Sequence, residues 1–285
     1  MRFNEYKQNR EKKKVVLVIG SPRFPGCCPD EKSKTHKIAE RLLKDFADLV
    51  KFETVDLAVK CDGLNIQPCK ACISTSAFHC HWPCDCYGKK SEPKDLMHEQ
   101  DVYTKLEQCD AFMVLTPINW SSCSSVVKSF FDRLVCANLT ITTEQAQKLM
   151  DGETKSSKKS RAMEKDGKHE RLLKNHLEGK RAAFFAHGNA GGADYREISE
   201  DGKGRPEPES LKEYEERHGE EDQSKILEPL VRQCVYSGIH IAENCVKVTI
   251  YGKGITYSDA NDLMRTDEGL YREAEEVLTN LLELI

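Results

Sequence analysis

The expected fold depends on one stretch, Val15-Val16-Leu17-Val18-Ile19-Gly20-Ser21-Pro22-Arg23, which is followed ten residues later by Ser33-Lys34-Thr35. Its first five residues form a β-branched and aliphatic run, which is typical of a parallel strand buried on both faces. Small hydroxyl residues and one arginine follow, and a helix is predicted to begin near Lys34. Hydroxyls and backbone N–H groups at a helix N-terminus can hold a phosphate dianion, and Arg23 can add charge-assisted bonds. The stretch therefore outlines a phosphate-binding loop, although an ordinary turn could carry the same residues.

Apolar residues after this loop recur at helical spacing. Ile38, Leu42, Phe46 and Leu49 follow one another at intervals of four, four and three, and Ser33 suits the N-cap position. Apolar residues at 52, 55 and 57 alternate with polar ones and predict a second strand. The chain therefore begins as a β-α-β unit, whose right-handed crossover makes the two strands parallel.

Further along the chain, three more apolar runs predict strands, and amphipathic segments between them predict helices. The strands are expected at 111–115, 181–186 and 246–251, and the helices at 93–108, 126–135, 226–235 and 270–281. This alternation favours an α/β fold with an open, doubly wound parallel sheet. Ligands bind such sheets at the carboxyl ends of the strands. Three loops are expected there, at 21–35, 116–122 and 187–193.

The 285 residues are expected to form one domain at 15–285, preceded by a basic N-terminal tail at 1–14. Three segments within the domain interrupt the core pattern. They are a cysteine-rich segment at 61–90, an insertion at 140–180 that is rich in Lys, Glu and Ser, and an acidic excursion at 197–222. We interpret the insertion at 140–180 as part helical and part mobile rather than as a second domain, and the acidic stretch as a solvated excursion.

The charge and hydropathy of the chain exclude some classes of partner. The formal net charge is −4, from 43 basic and 47 acidic residues, so the chain has no overall basic field for nucleic acid. No apolar run approaches the roughly 18 residues that span a membrane, and the N-terminal sequence does not resemble a signal peptide. We therefore expect a cytoplasmic protein that contacts neither nucleic acid nor membrane.

Together the loops resemble the NADPH-dependent FMN reductase and iron-sulfur flavoprotein branch of the flavodoxin-like superfamily. The resemblance is carried by Gly20–Arg23, Ser33–Thr35, Asn65–Cys72 and Thr116–Trp120, the last continuing through Lys128, Phe131, Asp132 and Arg133 to Leu134. It covers about Val15 to Ala137, with looser agreement at 187–193 and 246–252. It implies a flavodoxin-like doubly wound parallel sheet of five strands in the order 2-1-3-4-5, with helices on both faces.

The resemblance also implies an FMN site. The residues that would hold the phosphate are Ser21, Arg23, Ser33, Lys34 and Thr35, and those that would surround the isoalloxazine ring are Thr116, Pro117, Ile118, Asn119 and Trp120, with His187 and Gly188 beside it. Because no Gly-x-Gly-x-x-Gly fingerprint is present, NAD(P)H would bind transiently over the flavin as a cosubstrate.

Several of these residues have alternative interpretations. No catalytic residue is assigned, and His187 is a candidate proton donor that could equally be a solvated or capping histidine. Trp120 could be a core or rim aromatic instead of a ring contact. Asp132 and Arg133 are interpreted as structural, in an ion pair or a helix cap. Asn119 stands where relatives usually carry an aromatic residue.

The cysteine-rich segment places five thiols within eighteen residues, at Cys69, Cys72, Cys80, Cys84 and Cys86. That density could encircle one metal ion or cluster. Three interpretations remain open: a [4Fe-4S] cluster, a zinc ion bound by cysteine and histidine, and a loop of free or disulfide-forming thiols. Five other cysteines, at 109, 123, 136, 234 and 245, are predicted to be buried fillers.

These observations predict an FMN-dependent NAD(P)H oxidoreductase that passes electrons from a nicotinamide to flavin, a quinone or a similar small-molecule acceptor, and that pairs with itself as a homo-oligomer. Two alternatives belong to other classes. One is an electron-carrier protein with FMN and an iron-sulfur cluster. The other is a flavodoxin-like binding or sensor module without catalysis.

Overall fold

The computed structural model describes residues 12–24, 32–60, 63–87, 94–149, 157–167, 169–189, 223–251, 259, 262 and 268–285. Most of the predicted N-terminal tail, the whole acidic excursion at 197–222 and the end of the third loop lie outside the described residues, as does the part of the first loop at 25–31.

Eight strands form the described sheets. They are β1 (Lys13–Ile19), β2 (Val50–Asp56), β3 (His81–Trp82), β4 (Ala111–Asn119), β5 (Ser122–Cys123), β6 (Ile141–Thr142), β7 (Arg181–Asn189) and β8 (Val246–Tyr251). The main sheet runs β2-β1-β4-β7-β8 with every neighbouring pair parallel. Counting only these five strands, the order is 2-1-3-4-5. The predicted flavodoxin-like topology is therefore confirmed.

In the part of the chain that the structure describes, eight α-helices connect or cover the strands. They are α1 (Lys34–Asp45), α2 (Leu96–Glu99), α3 (Val102–Gln108), α4 (Ser125–Arg133), α5 (Thr143–Leu149), α6 (Ser157–Lys165), α7 (Glu228–Tyr236) and α8 (Glu268–Glu283). Short 3-10 segments lie at Cys72–Ser74, Ala77–His79, Leu134–Ala137, Glu170–Leu172, Gln223–Leu227 and Glu243–Cys245. Among the described residues, no helix combines the length and the apolar character needed to cross a membrane.

The first strand shows why the sheet is buried on both faces. Val15, Leu17 and Ile19 point into one apolar cluster, which contains residues of α1 and α8. Val16 and Val18 point into the other, which contains residues of α3, α4 and α7. An unbroken apolar run satisfies both faces because successive side chains of a strand alternate.

The prediction of a single helix at 93–108 is wrong, since the structure divides this segment into α2 and α3. Asp101 separates them with φ = 49°, a left-handed conformation that an α-helix cannot contain. Asp95, just before α2, is buried and bound by Arg133. Apolar spacing alone could not reveal this break, because Leu96, Val102 and Leu106 are buried on both sides of it.

The cysteine-rich segment and the 140–180 insertion form a joint satellite, which the sequence did not predict. Strand β3 from the first pairs in parallel with β6 from the second. Phe78, Ile141 and Ala146 make a small apolar cluster between them, and the Phe78 ring centroid lies 4.4 Å from that of His169. The insertion is therefore anchored on the cysteine-rich segment wherever the structure describes it.

Candidate functional site

Two of the three predicted loops are held together around Gly20. The backbone N–H of Gly20 donates to the Leu115 carbonyl at 2.7 Å, and the Ser124 hydroxyl donates to the Gly20 carbonyl at 2.5 Å. A Cβ added at Gly20 would lie 2.3 Å from Val127 Cγ2 and 2.6 Å from the Leu115 carbonyl oxygen. Glycine is therefore required here, because only its missing side chain lets β1, β4 and α4 meet this closely.

The third loop joins the same edge through His187. Its Nε2 lies 2.9 Å from the Thr35 hydroxyl in the first turn of α1, and its backbone pairs with Pro117 across β7 and β4. At the next residue, a Cβ on Gly188 would lie only 2.9 Å from Cβ of Ile118. The three predicted loops therefore converge at the carboxyl ends of neighbouring strands.

The third loop begins later than the sequence predicted. His187, Gly188 and Asn189 belong to β7, where they pair with Thr249, Ile250 and Tyr251 of β8. Glycine at 188 had suggested a flexible loop from 187 onward, and that boundary is wrong. Hydrogen bonding to the parallel strand β8 extends β7 past Gly188, although glycine has a low strand propensity.

The hydroxyls predicted to hold a phosphate lie just after β1, in Ser21, and at the start of α1, in Ser33 and Thr35. Ser21, Ser33 and Thr35 are buried, whereas Arg23 and Lys34 are half-buried. The Ser33 hydroxyl caps α1 by accepting from the His36 backbone N–H at 3.2 Å, and the Ser21 hydroxyl accepts from the Arg23 N–H at 3.3 Å. Hydroxyls, a helix N-terminus and two cationic side chains form a donor set suited to a phosphate dianion.

A relay of three side chains lies behind this phosphate loop, and sequence reasoning missed it. The Ser33 hydroxyl is 2.6 Å from His36 Nδ1, and His36 Nε2 is 3.1 Å from Asp56 Oδ1 at the end of β2. His36 is only 9% exposed. The spacing of Ser33 and His36, three residues apart at a helix start, could have suggested the first contact. The second depends on the crossover that brings β2 beside α1.

His187 is buried at the point where the loops meet. Burial, with a smaller contribution from Lys34, lowers the pKa of His187 to about 4. The ring is therefore neutral at physiological pH, which suits a positioning group better than a proton donor. Its buried Nδ1 has no hydrogen-bond partner among the described residues. Neither the burial nor the Thr35 contact was evident from a histidine next to glycine.

The segment predicted to surround a ring forms a hairpin. Thr116 is fully buried, and its hydroxyl donates to the Pro117 carbonyl at 3.0 Å and accepts from the Ser124 N–H at 3.2 Å. This side chain therefore shapes the loop from within. Farther out, Ile118 pairs with Cys123 and Asn119 with Ser122 in an antiparallel ladder.

The tip of the hairpin is the two-residue turn Trp120-Ser121, in which both residues have positive φ, 48° and 60°. Such values are typical of a type I′ turn, which is usually made by Asn-Gly or Gly-Gly. The Trp120 side chain is 94% exposed. The core interpretation of Trp120 is therefore wrong, whereas the ring contact and the rim position both stay predictions.

Arg133 is structural, as predicted, but its partner is not its sequence neighbour. Its guanidinium makes two bonds to the Asp95 carboxylate, at 2.9 and 2.8 Å, and both side chains are fully buried. It also donates to the Gln67 carbonyl and the Tyr103 hydroxyl, each at 3.1 Å. Asp132 instead pairs with Lys128 on the surface of α4.

The five cysteines of the cysteine-rich segment lie close together. Cys72 Sγ and Cys86 Sγ are 3.0 Å apart. A bond from Cys86, with the charge of Arg133, lowers the pKa of Cys84 to about 6, while burial raises the pKa of Cys80 to about 12. The backbone N–H of Ala71 donates to Cys69 Sγ.

Within the described part of the chain, no set of three or more His, Cys, Asp or Glu side chains is arranged to hold a metal ion. The structure therefore gives no support to the iron-sulfur or zinc interpretation of this segment. The five other cysteines, at 109, 123, 136, 234 and 245, are all buried as predicted.

Comparison with protein families matches residues 13–153 to the model of the NADPH-dependent FMN reductases. The matched part contains the first two loops and the cysteine-rich segment. A search of curated proteins gave no match.

Solved structures resemble the chain only distantly. A general stress protein 14 from Treponema denticola, in complex with FMN, is 14% identical, with a TM-score of 0.41 over 96% of this chain and 100% of that one. An NAD(P)H:quinone oxidoreductase from Methanothermobacter marburgensis is 13% identical, with a TM-score of 0.45 over 94% and 96% of the two chains. An azoreductase from Bacillus anthracis is 12% identical, with a TM-score of 0.43 over 93% and 98%. Likenesses this weak assign no activity to the chain.

Proposed function

Because residues 13–153 place this chain in the NADPH-dependent FMN reductase family, we propose that it is an FMN-dependent NAD(P)H oxidoreductase with FMN bound where the three loops converge. The observation that carries the proposal is the 2.9 Å contact between Thr35 and His187. It joins the phosphate loop to β7, directly beside the hairpin that would contact the ring.

The residues at this edge fit the two ends of FMN. Ser21, Ser33 and Thr35 supply hydroxyls near the N-terminus of α1, and Arg23 and Lys34 supply positive charge for the phosphate. When bound, FMN supplies a ring that accepts hydride from NAD(P)H and passes electrons on.

The hairpin and β7 would form the slot for the ring. Ile118 and Asn119 project from β4, Trp120 occupies the exposed tip, and Gly188 lets the Ile118 side chain pack closely against β7. Because His187 is neutral and buried, we assign it a positioning role, in which it fixes the distance between the two halves of the site. This chain supplies orientation and exclusion of water, and the proposal requires no acid or base side chain.

The proposal includes three further expectations. The electron acceptor is a small molecule such as flavin or a quinone, the protein works in the cytoplasm, and two copies pair. The exposed Trp120 at the rim supports the pairing, since a large apolar side chain at a site edge is suited to contact with another surface. Light scattering with and without FMN measures the oligomeric state.

The phosphate site is tested by comparing FMN with riboflavin, which lacks the phosphate. Arg23→Gln should weaken FMN binding about 10- to 100-fold, because a charge-assisted bond is lost, and should change riboflavin binding less than about twofold. Lys44→Gln is the matched control, since Lys44 is exposed in the last turn of α1.

Flavin fluorescence titration gives both affinities, and NADPH oxidation with a quinone gives the activity. Wild-type protein that binds neither flavin would overturn the proposal and favour a binding or sensor module without FMN. Equal losses of FMN and riboflavin affinity in Arg23→Gln would contradict the placement of the phosphate.

A further inference from the structure

The hydrogen bonds around His36 determine where the Ser33 hydroxyl can donate. His36 Nε2 faces the Asp56 carboxylate at 3.1 Å, and a carboxylate can only accept. The Nε2 atom must therefore carry the hydrogen. In a neutral ring Nδ1 is then an acceptor, and the Ser33 hydroxyl 2.6 Å away must donate its hydrogen to it.

In that state Ser33 has no hydrogen to offer a phosphate. One lone pair of its oxygen already accepts from the His36 backbone N–H, and the other would face the anion and repel it. If the ring takes up a proton, Nδ1–H becomes the donor to Ser33. The Ser33 hydrogen is then released and can point at the phosphate. The imidazolium would be stabilised by Asp56 on its other side.

We propose that His36 takes up a proton when FMN binds, and that this proton switches Ser33 from a donor to His36 into a donor to the FMN phosphate. His36 is a positioning residue in this proposal, since it acts through Ser33. The inference rests on the proposed function, because it names a group that helps the same site to bind a dianion.

The charges around His36 are consistent with this coupling. Asp56 comes from the end of β2 and accepts from His36 and from the Ala58 backbone N–H, so it is held in place. The other charged groups nearby in the chain are Arg23 after β1 and Lys32, Lys34 and Lys37 around the start of α1, and Lys32 pairs with Glu40. A phosphate dianion that binds here adds two negative charges beside these four cationic side chains. The added negative charge favours the protonated form of the His36 ring.

The first experiment measures proton uptake directly. FMN is titrated calorimetrically at pH 8, where histidine side chains in water are almost entirely neutral and a phosphate monoester is almost entirely a dianion. Two phosphate-free buffers with different enthalpies of ionisation are used. The dependence of the binding enthalpy on the buffer gives the number of protons taken up.

Wild-type protein should take up a substantial fraction of one proton with FMN and none with riboflavin. His36→Gln should take up none with either ligand. The matched control is His79→Gln, since His79 bonds to Ser160 in the satellite and should leave the uptake unchanged. Asp56→Asn is a second variant that keeps the shape of the relay while removing its charge, and it should reduce the uptake.

The second experiment measures FMN affinity between pH 7 and pH 8.5 by fluorescence. If binding takes up one proton, the FMN affinity of the wild type should fall by up to about tenfold for each pH unit by which the pH rises. The FMN affinity of His36→Gln should vary by less than about twofold. FMN binding without proton uptake, or the same uptake with riboflavin, would overturn this inference alone. Protein that binds no FMN at any pH would overturn the proposed function together with it.

Discussion

His187 connects β7 to the first turn of α1 while carrying no charge, so its buried ring makes the fold sensitive to acid. The folded state lowers the pKa of His187 from 6.5 to about 4. Between these values the unfolded chain binds more protons. The free energy of unfolding should therefore be highest above pH 6.5 and should fall as the pH falls toward 4, by up to about 3 kcal/mol from this residue.

His187→Gln should remove this part of the pH dependence. Urea unfolding at pH 7.5, 6 and 5 gives the free energy of unfolding of the variant and of the wild type. The change in their difference with pH measures the contribution of His187. The exposed His240 supplies the control variant His240→Gln, which should follow wild type. The same acid loss in His187→Gln and wild type would mean that other groups cause it.

The buried Arg133–Asp95 pair predicts a large asymmetry between two variants of α4. Arg133→Met leaves the Asp95 carboxylate buried and unpaired, and should lower the free energy of unfolding by about 3–5 kcal/mol. Lys128→Met removes the exposed pair with Asp132 and should cost less than about 0.5 kcal/mol. Chemical denaturation measures both values.

The double variant Arg133→Met with Asp95→Leu should recover much of the loss, because no unpaired charge remains. If the double variant is no more stable than Arg133→Met, the loss of stability comes from packing around the guanidinium rather than from the unpaired carboxylate.

At the scale of elements, the hairpin turn at Trp120-Ser121 lowers stability at a position where a ring contact is proposed. Both turn residues have positive φ, which costs free energy for any residue with a side chain. The double substitution Trp120→Asn with Ser121→Gly should raise the stability by about 1 kcal/mol, since Asn-Gly is suited to a type I′ turn. It should also weaken FMN binding, because the proposed ring contact is lost.

The control for this substitution is Leu139→Asn. Leu139 is also exposed, with φ = 53°, and lies outside the three loops. The Leu139→Asn substitution should relieve backbone strain without changing FMN affinity. Thermal melts measure the stability, and flavin titration measures the affinity. An unchanged FMN affinity in the hairpin variant would exclude Trp120 from the ring contact.

The elements that could be predicted from the sequence were those set by local apolar spacing. Strands β1, β4 and β7 were evident because each is a run buried on both faces, and α1 because Ile38 and Leu42 lie one turn apart with a serine cap. The break at Asp101 and the strand pairing of Gly188 were not predictable. The pairing of Gly188 depends on β8, a partner distant in sequence, and the break at Asp101 lies within an apolar pattern that continues on both sides of it.

The same distinction applies to the site. Gly20, the hydroxyls and Arg23 after a buried strand predict the phosphate loop, and phosphate binding there stays a prediction. The relay through His36 was missed because Asp56 approaches it only after the β-α-β crossover forms. Burial of His187 was missed because a histidine followed by glycine has the composition of an exposed loop.

At the scale of the whole molecule, the satellite should unfold without the main sheet. Phe78→Ala removes the centre of the cluster that contains Ile141 and Ala146, and should make backbone amides at 72–82 and 140–149 exchange faster with solvent. Amides of β1 and β4 should be unaffected. Hydrogen exchange by mass spectrometry resolves these segments.

Phe112→Ala is the matched control, since Phe112 lies in β4 and is fully buried in the main core. It should instead lower the stability of the whole sheet. If Phe78→Ala accelerates exchange in β1 and β4 equally, the satellite and the sheet form one cooperative unit.

The bond between Thr35 and His187 spans 152 positions of the chain. During synthesis the ribosome makes the phosphate loop early, but the strand that secures it emerges only after residue 189. A nascent polypeptide halted before β7 would expose the edge of β4 and would lack one side of the proposed FMN site. On that proposal, incorporation of the yellow prosthetic group is a late event in biogenesis, coupled to the arrival of the fourth strand of the main sheet.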